Sequence, residues 1–188
     1  MKNRVTLALV LCVFTTLVQA QFYKSVLPSP GFTNALEKIV LDFRLDYKTI
    51  QGEQISRESE VESYLSGVAL PGAKGCTISR FHSKQDTTAS WQAVMYEGDS
   101  YADAVKEYKN VVRLVKKSQM RWIDRSVVHF VGEMEEPSEE VGFAVTILGL
   151  DVADKRYTHF VAEIELSGSE AEWSVRVNLH KKRDDRDM

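Results

Sequence analysis

From Phe32 onward an apolar residue recurs at every third or fourth position: Phe32, Leu36, Ile39, Val40, Phe43 and Tyr47. That spacing puts all six on one stripe of a helix, with Thr33 placed to cap it. Ahead of it, residues 21–31 carry two prolines and a glycine and read as an extended lead-in. Val61, Tyr64, Leu65 and Val68 repeat the helical spacing more briefly, and Leu70-Pro71-Gly72 stops it. A second, shorter helix is predicted there, with a hairpin over 47–56 as the competing arrangement.

At Cys76 the period changes to two. Residues 76–83 and 89–97 read as the two strands of a hairpin, the second alternating Trp91, Ala93 and Met95. The segment SYADAVKEYKNVVRLVKK then returns to helical spacing through Tyr101, Ala104, Val105, Tyr108, Val111, Val112 and Val115. Ser100 is its predicted N-cap, with Asp103 three residues on. Four strands follow, marked in turn by Val128, Phe130 and Met134, by Phe143, Val145 and Ile147, by Phe160 to Leu166, and by Trp173 to Leu179. Gly168-Ser169 reads as a two-residue hairpin loop, so cross-strand partners would have numbers that sum to 337. Turns this short force antiparallel pairing. The expected fold is α+β: an antiparallel sheet of two N-terminal strands plus a C-terminal four-strand meander, with the helices packed on one face.

The two ends differ from this single domain, which spans residues 32–180. Lys2 and Arg4 precede an uncharged run from Val5 to Val18, which ends at Val18-Gln19-Ala20. A basic start, a short apolar run and a small-residue site predict a signal peptide over residues 1–20, cleaved after Ala20. Cys12 lies inside the apolar run, so a lipoprotein anchor is not expected. The product would be secreted or periplasmic, without a transmembrane segment. Residues 181–188 form a charged tail with almost nothing apolar. The net charge of −3 becomes two units more negative on cleavage, which gives no support to nucleic acid as a partner. Cys76 would then be the sole cysteine, so no disulfide can form within the chain.

Candidate chemistry is sparse. Cys76 and His82 share a predicted strand face, but six residues of strand separate their Cα atoms by roughly 20 Å, far beyond thiol–imidazole contact. Cys76 therefore reads as a small buried hydrophobe. His129, His159 and His180 fall out of phase with the large apolar residues of their strands, on the wetter face. Three imidazoles there could build a zinc site only from neighbouring strands at matched heights. No Gly-x-Ser-x-Gly, His-Glu-x-x-His or phosphate-loop pattern occurs, and no motif calls for a cofactor.

Two charge features stand out. Lys106, Lys109, Arg113, Lys116 and Lys117 lie opposite the apolar stripe of the second long helix, a solvated band that could also bind an anion. Five glutamates between Glu133 and Glu140 read as an acidic hairpin tip. The leading functional expectation is a non-catalytic exported domain that binds a macromolecular or cell-envelope partner. Its rivals are an extracytoplasmic hydrolase using dispersed carboxylates or histidines, and a carrier of a small apolar ligand. A polar cleft with clustered titratable groups would favour the hydrolase, an enclosed apolar cavity the carrier, and an exposed apolar patch the binding domain.

Overall fold

A computed structural model describes residues 27–83, 87–169 and 172–182. The signal segment, most of the charged tail and the first part of the lead-in lie outside the described residues. Helix α1 spans Pro30–Asp42. Its cap is Ser29, whose Oγ accepts from the Phe32 amide at 3.2 Å, and not Thr33. Pro30 explains the shift: it occupies the first helical position, where its fixed φ fits and its missing N–H costs nothing. The last two residues of the expected lead-in are therefore helical.

The apolar stripe outlasts the helix. After Asp42 the chain makes a 3-10 turn at Phe43–Leu45, and Asp46 and Tyr47 take left-handed φ values of 52° and 58°. The buried Asp42 carboxylate holds this reversal by accepting from the Thr49 amide at 3.1 Å, the Ile50 amide at 3.3 Å and the Thr49 hydroxyl. Tyr47 is consequently carried into the core, where its hydroxyl donates to the Leu179 carbonyl at 2.7 Å.

Strands β1 (Gln51–Arg57) and β2 (Val61–Ser66) form a hairpin. The short helix expected over 61–68 is thus a strand. Its apolar spacing fits either period over so few residues, and pairing on its other edge with residues 77–81 decides the matter. Strands β3 (Gly75–Phe81) and β4 (Ala89–Gly98) form the expected hairpin. Helix α2 (Tyr101–Lys117) follows, and its cap Ser100 accepts from the Asp103 amide at 3.2 Å.

The expected strand over Val128–Met134 is broken in two. β6 (Val127–Val128) pairs with β5 (Met120–Arg121) in a separate small sheet, and β7 (Phe130–Val131) joins β8 (Phe143–Leu150). β9 (Phe160–Ser169) and β10 (Glu172–Lys181) complete a single eight-stranded antiparallel sheet in the order β1-β2-β3-β4-β10-β9-β8-β7. Two meanders, one from each half of the chain, therefore join edge to edge through β4 and β10. The fold is α+β, with four N-terminal strands where two were expected.

One side of the sheet packs with both helices into a continuous core that includes Ile78, Trp91, Val177, Ile164, Tyr108 and Leu36. At its centre Trp91 is fully buried between Ile78 and Leu179 on the flanking strands, with its indole N–H donated to Ser66 Oγ at 2.8 Å. The register across β8, β9 and β10 decides which side chains share that face. Leu148, Ala162 and Leu179 stand in one row, and Thr146, Ile164 and Val177 in the next. β8 therefore turns Ala144, Thr146 and Leu148 inward, while its larger marker residues Phe143, Val145 and Ile147 lie on the other side of the sheet.

Candidate functional site

The thiol and imidazole that opened the question of catalysis are separated by their surroundings as well as by length. Cys76 is buried against the core, and burial pushes its thiol up, away from the reactive thiolate. His82 is exposed and bonds to Glu62 at 3.2 Å. The remaining histidines do not gather either. The His129 carbonyl accepts from the Asp151 amide, and the His159 carbonyl accepts from the Lys182 amide. Among the described residues, no group of three or more His, Cys, Asp or Glu could hold a metal ion.

The basic band and the acidic turn, read separately along the chain, meet in space. Between β7 and β8 the chain runs as a strap from Gly132 to Glu136. Lys116 Nζ donates to the Gly132 carbonyl at 2.6 Å, and Lys109 Nζ stands 2.5 Å from the Glu136 carboxylate. On its other side the strap is tied to β8. The Glu135 amide donates to Thr146 Oγ1 at 3.0 Å, and the Glu135 carboxylate accepts from the Val145 amide at 3.2 Å. Gly132 permits the close approach: its φ is +151°, and a Cβ there would lie 2.8 Å from the Ile147 carbonyl oxygen. Two of the five band residues, Lys109 and Lys116, are thus engaged by the strap. Arg113 donates to Asn110 Oδ1 at 2.6 Å, while Lys106 and Lys117 are exposed.

A cleft of about 310 Å³ lies between the β5–β6 turn and the β8–β9 connection, with Trp122, Val128 and Val152 among its lining residues and Asp124, Asp151 and Asp154 beside them. Two of the three carboxylates are already committed. Asp124 accepts from the Ser126 hydroxyl and amide at 2.6 and 2.9 Å, and Asp154 is paired with Arg156 at 2.6 Å. These bonds hold both carboxyl groups below their usual range. They brace the two turns that border the cleft.

A further surface feature is the open side of the sheet. Strand by strand it presents a column of side chains, apolar on β8, acidic on β9 and polar or basic on β10. β8 offers Phe143, Val145 and Ile147; β9 offers Glu165 and Glu163; β10 offers Arg176, Asn178 and His180; β4 offers Val94 and Gln92. None of these ten side chains is buried, although Val161 in the same β9 column is, and Phe143 and Ile147 remain 47% and 39% exposed. Val131 of β7 adds a further apolar side chain, 44% exposed.

Within this face Gln92 Nε2 donates to Asn178 Oδ1 at 2.8 Å, and His180 Nε2 lies 3.4 Å from Glu163. Arg176 stands in register between Glu165 and Val94. It forms no ion pair among the described residues, and its Nε is buried with no hydrogen-bond partner. None of these residues was singled out from sequence except His180. The legible signal was the run of like side chains at alternate positions: Glu163 and Glu165 on one strand, Arg176, Asn178 and His180 on the next.

The hairpin register corrects one geometric expectation. Ser169 pairs with Glu172, so partner numbers sum to 341 and Gly168 and Ser169 belong to the strand. His180 consequently faces Val161, not Tyr157, with Glu163 as its diagonal neighbour. The Glu163 bond raises the imidazole pKa and the His180 bond lowers that of the carboxyl group. A raised His pKa stabilises the fold at pH below the unfolded value, and that contribution is lost as pH rises through the folded value. The lowered Glu163 pKa gives stability above the unfolded carboxyl value that is lost in acid as pH falls through the folded one. Subtracting the stability of His180→Gln from that of wild type across pH should therefore show a plateau between the two unfolded pKa values. The difference should fall on both sides, and a difference independent of pH would contradict the pair.

The chain matches no protein-family model, no curated protein and no solved structure. Its fold and surface define it as an α+β domain with one sheet face covered by helices and the other open to solvent.

Proposed function

We propose that this protein is an exported, non-catalytic binding domain that engages a macromolecular or envelope partner through the open face of its sheet. The observation that carries this reading is the apolar column Phe143, Val145 and Ile147, set beside two charged columns on the side of the sheet away from the helices. Scattered apolar residues on a surface need no explanation, but an apolar strip bordered by charge is the composition of a contact site. Export rests on the segment Met1–Ala20.

A second contact is proposed at α2, where Lys106 and Lys117 project into solvent and Arg113 lies between them. Its strength would depend on salt, because exposed charges are screened over about 8 Å at physiological ionic strength. A hydrolase reading placed in the Trp122 cleft would have Asp151 as the one lining carboxylate without an assigned bond.

Phe143→Glu combined with Ile147→Glu should reduce retention on immobilised envelope extract at least tenfold at both low and high salt. Lys106→Glu with Lys117→Glu should reduce it at low salt alone. Unchanged retention of the sheet-face variant, with an unchanged circular dichroism spectrum, would reject the open face as the contact surface.

A further inference from the structure

We propose that the open face binds a second copy of this chain. The two sheets would stack face to face about a two-fold axis that runs parallel to the strands, between β9 and β10. This deepens the binding-domain reading and rests on it.

The argument is one of self-complementarity. A two-fold axis in that position lays the β9 column of one copy over the β10 column of the other, at the same height along the strands. Glu165 and Arg176 are register partners, so each copy's Arg176 comes to face the other's Glu165. Stacked sheets lie about 10 Å apart, a gap that an arginine and a glutamate reaching toward each other can span. Among the described residues neither side chain forms an ion pair within its own chain, although they stand on adjacent strands, and the Arg176 Nε has no hydrogen-bond partner.

The same operation continues outward. β8 of one copy falls over β4 of the other, which sets Val145 against Val94, since both share a row with Arg176 and Glu165. In the next row Glu163 meets Asn178, an acceptor against an amide. In the row of Arg176 and Glu165 opposite charge thus meets opposite charge and apolar meets apolar, while in the next row Ile147 falls over Gln92. A stack shifted by one strand would instead lay like-charged columns over each other, which costs association energy.

Size sets the expected strength. Four strands about 4.8 Å apart and seven residues at about 3.3 Å each cover roughly 400 Å² before side-chain relief is counted. A standard interface buries about 800 Å² per partner. The association is therefore expected to be reversible and dependent on concentration.

Sedimentation velocity on the purified protein, from micromolar to near-millimolar, tests this. Wild type should shift from monomer to dimer across that range. Arg176→Glu and Glu165→Arg should each weaken dimerisation at least tenfold. An equimolar mixture of the two variants should restore it, because one copy then carries only acids and the other only bases at the contact. A pair formed within one chain would be repaired by the double variant but never by mixing. Should a reversal variant fail to fold by circular dichroism, Arg176→Gln and Glu165→Gln replace it and should each weaken the dimer.

Wild type that stays monomeric throughout, or a mixture that stays monomeric while wild type dimerises, overturns the proposal. If wild type is monomeric while Phe143→Glu with Ile147→Glu still loses extract retention, the face binds a different macromolecule and the binding-domain reading survives. If neither property responds, both fail.

Discussion

Trp91→Ala is expected to lower the unfolding free energy by about 3–5 kcal/mol, the range for deleting a buried aromatic side chain. Trp91 is fully buried at the junction of β3, β4 and β10, where the two meanders meet. Removing it leaves a cavity among side chains contributed by both halves of the chain, so neither half can close over it alone. The loss also breaks the indole bond to Ser66 Oγ, although that hydroxyl keeps its contacts with Val68. Phe143→Ala provides the contrast. Phe143 is also a large aromatic on a strand, yet it is nearly half exposed, and its removal should change stability by no more than about 0.5–1 kcal/mol. Denaturant unfolding of the three proteins measures both effects. Comparable losses from the two variants would mean that Phe143 also belongs to a packed layer.

The two residues differ in a way that sequence alone expressed only in part. On β10, and on β9 from Ala162 onward, the apolar residues alternate with polar ones, so residue type and burial point the same way and the core face was legible. The stripe of α2 was legible for the same reason, and with it the Ser100 cap. On β8 both sets of alternate positions are largely apolar. Phe143, Val145 and Ile147 are the larger set, but the register with β9 commits Ala144, Thr146 and Leu148 to the core. Thr146 is accepted there because its hydroxyl bonds to the buried Tyr108 hydroxyl at 2.6 Å. Phase on such a strand is a property of the pairing, which no local pattern contains.

β2 shows the same limit in another form. Val61, Tyr64, Leu65 and Val68 satisfy a helical period, but as a strand the segment bonds to neighbours on both sides. The basic band and the acidic turn were each visible, whereas their meeting across the strap was not. Lys109 and Glu136 lie 27 residues apart, and only the packing of α2 near the β8 edge brings them together. For the candidate face, the individual columns were present in the sequence as alternating Glu or Arg, Asn and His. Their order across the sheet depends on β10 inserting between β4 and β9, which is a fact of topology.

The account stands on one division: odd-numbered residues of β8 face solvent and even-numbered ones face the helices. Thiol labelling of Ile147→Cys and Leu148→Cys tests that division at adjacent positions. The native Cys76, buried and with its thiol pushed up, serves as a slow internal reference in each protein. In dilute neutral solution Ile147→Cys should react at the rate of an accessible thiol, and Leu148→Cys should react as slowly as Cys76. A protected Ile147→Cys, or a Leu148→Cys that reacts as fast in a protein with native circular dichroism, would place the helices on the other side of the strand and remove the open face.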